Sequence, residues 1–81
     1  MAKQAALPPS LPPRLIGRDA AAAYISVAPN TFDRMIEEGR MPRPRVLGDK
    51  RNAWDTKELD VAVDRLPHEG EELAASDEGW T

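Results

Sequence analysis

The chain contains no cysteine. A disulfide framework and a thiolate metal site are therefore excluded, and the composition suits a reducing compartment. Histidine occurs once, at His68. No serine has a base beside it, no glycine-rich phosphate loop or metal-ligand spacing is present, and the carboxylates are scattered. The expectation is a protein that is not an enzyme and needs no cofactor. No apolar run approaches the roughly 20 residues that a membrane helix requires. The N-terminus has a single early lysine and no apolar core, which does not fit a secretory signal. These features predict a cytoplasmic location and no membrane partner. The 81 residues bound the chain to one small domain with a modest core.

The net charge is −3, which on its face disfavours a polyanionic partner. Charge is unevenly placed, however. From His68 onward the acids Glu69, Glu71, Glu72, Asp77 and Glu78 meet no lysine or arginine, so this tail carries −5 and the rest of the chain +2. Arg40, Arg43, Arg45, Lys50 and Arg51 face only Asp49 within their stretch, a local +4. A basic patch on a domain governs phosphate contact more than the whole-chain sum does.

The chain is organised around RDAAAAYISVAPNTFDRMIEEG, Arg18 to Gly39. The alanines have high helix propensity and predict a first helix running to Ile25. Gly17 serves as its N-cap, and Asp19 complements the helix dipole in the first turn. Ser26-Val27-Ala28 breaks the pattern. Pro29 suits a first helical position and Gly39 a helix stop. Two helices across so short a turn make a helix-turn-helix, whose second helix can enter the major groove of DNA.

Helical phase divides that second helix into two faces. Phe32, Met35 and Ile36 share one, with Ala28 near it. Asn30 and Arg34 project from the opposite side, flanked by Thr31 and Asp33. Asparagine can pair with adenine and arginine with guanine, and either can hold a phosphate. Taken alone, the same face is what any surface helix presents to water.

The flanking segments add to this. Residues 1–13 contain LPPSLPP, which favours extended polyproline II, and read as a disordered leader. Leu15 and Ile16 are expected to lie under the first helix, and Tyr24 to pack at its edge. Two prolines in Arg40-Met41-Pro42-Arg43-Pro44 force an extended connection. Arg45-Val46-Leu47, the turn Gly48-Asp49-Lys50 and Arg51-Asn52-Ala53-Trp54 predict a hairpin with Lys50 and Arg51 near its tip. A lone hairpin is unstable in water, so it must pack on the helices, with Trp54 as anchor. Asp55-Thr56-Lys57-Glu58 reads as a capping box. Leu59, Ala62, Val63 and Leu66 then make a core stripe on a third helix that Pro67 ends. Residues 68–81 read as an acidic disordered tail carrying Trp80.

The predicted fold is thus mainly α with a small β-hairpin wing, a winged helix-turn-helix over residues 14–67. At this point the segments LIGRDAAAAYISVAPNTFDRMIEEGRMPRP and RVLGDKRNAWDTKEL resemble the MerR-like winged helix-turn-helix of phage and integrative-element excisionases and AlpA-type regulators. The resemblance covers Leu15 to Leu66. It implies DNA contacts from Asn30, Thr31 and Arg34 on the second helix, from Arg45, Lys50 and Arg51 on the wing, and from Arg18 at the start of the first helix. Arg40 and Arg43 are implied flanking contacts. Ala28 departs from the family's usual serine or threonine cap before Pro29.

The implied function is that of a sequence-specific, DNA-bending excisionase, a recombination directionality factor. It would direct a tyrosine recombinase to excise a mobile element. Its implied partners are double-stranded DNA, that recombinase, and further copies of itself bound cooperatively along the duplex. The same domain would also serve a small AlpA-type transcription regulator. A DNA-packaging role like that of phage terminase small subunits requires an oligomerisation region, which this chain is too short to supply. A protein-interaction module working through the leader and tail is the alternative from another class.

Overall fold

The computed structural model describes residues 7–71. The readings placed on residues 1–6 and on Glu72, Asp77, Glu78 and Trp80 lie outside the described residues. Among these the elements run β1 (Leu15–Ile16), α1 (Arg18–Tyr24), α2 (Pro29–Glu37), β2 (Arg45–Gly48), β3 (Arg51–Asp55) and α3 (Thr56–Asp64). The result is a mixed α/β fold of three helices and a three-stranded antiparallel sheet, an arrangement compatible with a winged helix. None of these helices is long and apolar enough to cross a membrane.

Both helices of the central stretch end in the same way. After α2, Gly39 takes φ +79°, its N–H reaches the Ile36 carbonyl at 3.0 Å, and the Arg40 N–H reaches Met35 at 2.8 Å. After α1, Ser26 takes φ +71°, its N–H reaches Ala23 at 3.0 Å, and the Val27 N–H reaches Ala22 at 2.9 Å. These paired bonds form Schellman motifs that satisfy the last carbonyls of each helix. The turn between the helices is therefore built by a left-handed serine, where glycine would be the unstrained choice. As the alanine run suggests, α1 packs closely, with Ala21 and Ala22 fully buried. It stops at Tyr24, with Ile25 as its C-cap.

The core joins Ala21, Ala22, Phe32, Met35, Met41, Trp54 and Leu59. Phe32 and Trp54 meet edge to face, their ring centroids 5.2 Å apart, a favoured arrangement of aromatic quadrupoles. The Trp54 indole N–H donates to the Pro42 carbonyl at 2.9 Å, which satisfies the one polar atom that burial of the ring would strand. Trp54 thus anchors the hairpin, as its size and position predict.

Several expectations are corrected. Leu15 and Ile16 do not simply underlie α1. They form a third strand, pairing Leu15 with Asp55 and Ile16 with Trp54. Ile16 packs against the core, but Leu15 remains exposed. Tyr24 is half exposed, and its hydroxyl donates to Asp60 Oδ1 at 2.8 Å. At the edge of α1 it therefore bridges to α3 through its hydroxyl, at the surface. Val63 is also exposed, so the stripe of α3 narrows to Leu59 with the partly buried Ala62 and Leu66. The proline-rich segment bends at residues 8–11, where the Leu11 N–H closes a turn onto the Pro8 carbonyl at 2.9 Å. Proline favours such turns as well as extended chain.

The capping box forms only by half. Asp55 accepts the Lys57 N–H at 2.9 Å. Glu58, instead of reaching back to Asp55, is paired with Arg45 of β2. The Arg45 guanidinium offers Glu58 a charge-assisted partner.

Candidate nucleic-acid interface

Helix α2 carries the first group of site residues. Burial of Phe32 and Met35 fixes its rotation, and the period of about 3.6 residues per turn then turns Asn30 and Arg34 outward. Both are exposed, and Thr31 is half-buried beside them. Among the described residues, the Arg34 guanidinium has no ion-pair or hydrogen-bond partner. Ala28 offers no side-chain cap, so the helix start lacks a side-chain acceptor for its first amides.

Arg18 extends across from α1 to this helix. Its Nε donates to Asp33 Oδ1 at 3.0 Å. Its Nη2 donates to Asp33 Oδ2 at 2.8 Å and to Asn30 Oδ1 at 3.3 Å. Asp19 lies 3.6 Å from Nη1. The hydrogen-bonded guanidinium holds the Asp33 carboxyl below its ordinary range, and Asp33 in turn raises Arg18. Arg18 is therefore spoken for by groups of its own chain, and its geometry is that of a brace between α1 and α2. The pairing of residues 15 positions apart has no local sequence signal.

The hairpin carries the second group. β2 and β3 pair Arg45 with Ala53 and Val46 with Asn52, then slip so that Gly48 faces Arg51. Lys50 occupies the tip at φ +58°. Lys50 and Arg51 are exposed, without ion pairs among the described residues. Arg45 differs from them. It pairs with Glu58 and lies 4.0 Å from Asp55, so α3 holds it against the sheet.

Comparison of the chain with protein-family models, with curated proteins and with solved structures returns no match. The geometry of the residues is thus what bears on function.

A third group lies behind the hairpin. Arg43 is exposed and lines a groove together with Lys57 and Arg65 of the α3 segment. The clustering of Lys57 and Arg65 with Arg43 was not expected from sequence. Neither belongs to the basic run, and only the packing of α3 on β3 brings them to it. Arg40 is partly drawn off to Glu38 at 3.0 Å. Beneath the groove, Arg14 grips the buried Asp55 through Nε at 3.1 Å and Nη2 at 3.0 Å. This holds the Asp55 carboxyl below its ordinary range. The Arg14 main-chain carbonyl also accepts the Thr56 N–H at 2.8 Å. Arg14 is a structural residue that the sequence reading passed over.

The eight residues expected to meet DNA thus separate. Arg34, Arg43, Lys50 and Arg51 are exposed cations without partners among the described residues. Asn30 and Thr31 stand beside Arg34. Arg18 and Arg45 are engaged within the fold.

Proposed function

We propose that the chain is a sequence-specific DNA-binding protein of winged helix-turn-helix type, with α2 as the recognition helix and the β2–β3 hairpin as its wing. The observation that carries this reading is the division of α2. Phe32 and Met35 are buried, while Asn30 and Arg34 on the opposite face remain exposed. Side chains of these two types can hydrogen-bond base edges. Lys50 and Arg51 at the wing tip, and Arg43 before it, supply phosphate contacts that set register without reading sequence. Arg45 and Arg18 act mainly by holding the wing and the helix pair in place.

Within that reading, the motif resemblance favours an excisionase. Copies bound side by side would touch and bend the duplex, the cost of bending being offset by added contacts. The curved attachment site would then direct a tyrosine recombinase to excision. The chain itself performs no bond chemistry. An AlpA-type regulator would use the same interface at a promoter.

Titration into duplexes from a flanking attachment site and from the region upstream of its own gene separates the two. Selective binding and bending of attachment-site DNA supports the excision factor. Binding confined to the upstream duplex supports the regulator. Failure to bind either, or any other duplex, removes the proposal.

A further inference from the structure

The Arg18 brace decides which atoms the recognition face presents. Arginine carries only donors, so the atom of the Asn30 amide that faces Nη2, at 3.3 Å, is its oxygen. The Asn30 Nδ2 has no hydrogen-bond partner among the described residues. Asparagine reads adenine by offering its amide oxygen and nitrogen together, one accepting from N6 and the other donating to N7. With one of the oxygen's two lone pairs turned to Arg18, that pairing is weakened and the amino group leads. Asp33 is neutralised in the same way, since both of its oxygens accept from Arg18. Of the two base-reading residues, Asn30 then leads with its amino group and Arg34 with its guanidinium, both donors; Thr31 lies beside them, and the acceptor Glu37 follows nearly two turns after Asn30.

We propose that this brace makes α2 a reader of acceptor edges. The half-site then carries guanine, with its N7 and O6 acceptors, opposite Asn30 as well as opposite Arg34. Arg18 is a positioning residue that sets specificity through Asn30. The proposal rests on the DNA-binding reading and sharpens it to a class of base.

The test is a selection of duplexes from a randomised pool by the full chain, followed by titration of the selected duplex. Loss of preference at one position in Asn30→Ala assigns the base that Asn30 meets. Guanine is expected there, and its replacement by 7-deazaguanine or adenine should weaken binding about tenfold. Arg18→Lys keeps the charge but not the fork, and Asp33→Ala removes the fork's anchor. Both should lose that discrimination, accepting guanine and adenine to within about twofold. Arg18→Lys should keep the wild-type salt dependence, and circular dichroism should show both variants folded. Adenine selected by the wild type at that position overturns the proposal, as does an unchanged guanine preference in both folded variants. Absence of salt-sensitive binding to the whole pool overturns the DNA-binding reading itself, a different failure from either of these.

Discussion

Trp54 and Phe32 meet edge to face at a centroid separation of 5.2 Å and an interplanar angle of 65°, and this contact joins the hairpin to α2. Phe32 is fully buried and Trp54 nearly so. Truncating Trp54→Ala should cost about 3–5 kcal/mol. That approaches the whole stability of a domain this small, at roughly 0.05–0.15 kcal/mol per residue. The variant should lack a cooperative thermal transition by circular dichroism. Trp54→Phe keeps a ring but leaves the Pro42 carbonyl without its donor, and should cost about 1–2 kcal/mol.

The two left-handed helix ends make a matched pair. Ser26→Gly should raise stability by about 1 kcal/mol, because a Cβ is disfavoured at positive φ. Gly39→Ala should lower it by a similar amount for the same reason. A Cβ at Gly39 would meet no atom within 4 Å, so the effect is one of backbone and not of collision. Denaturant titration of both variants checks the opposite signs.

Ala28 has the extended backbone of an N-cap, at φ −72° and ψ 152°, but no side-chain acceptor. Ala28→Ser should cap α2 and add about 0.5–1 kcal/mol. An unchanged melting temperature would show that the new hydroxyl does not reach the helix amides.

Acid should unfold the chain through Asp55 and Asp33. Both carboxyls are held below their ordinary range by hydrogen-bonded arginines, Arg14 and Arg18. A carboxyl depressed in the folded state stabilises it above the unfolded value, about 3.9, and that contribution fades as pH falls through the lower folded value. Stability should therefore fall with pH in the range below about 4. Asp55→Asn should be less stable near neutrality and show a flatter acid limb. An acid limb identical to wild type would contradict the role given to the Arg14–Asp55 pair.

Much of this fold could be read locally. Pro29 and Gly39 bracket α2, the Gly48-Asp49-Lys50 turn marks the hairpin, and the size of Trp54 marks the anchor. What escaped depends on distant pairing. Leu15–Ile16 is too short to signal a strand and gains its order from β3. Serine is an uncommon residue at φ +71°, so Ser26 gave no hint of its conformation. Glu58 fits a capping box in sequence and is captured by Arg45 in space. At the candidate interface, the outward face of α2 was legible from helical phase. The withdrawal of Arg18 toward Asp33 and of Arg45 toward Glu58 was not, because these partners lie 15 and 13 residues away in the chain.

The most direct measurement is a titration of the full chain into its selected duplex over a range of salt concentrations, with Arg34→Ala and Lys50→Ala alongside. Wild-type affinity should fall steeply with salt, as phosphate contacts release counterions. Arg34→Ala should cost about 1–3 kcal/mol and relax sequence preference. Lys50→Ala should weaken all sequences alike and reduce the salt slope by about 1. Salt-independent binding, or an Arg34→Ala variant that binds every duplex as the wild type does, would contradict the assignment of α2 as the element that reads DNA.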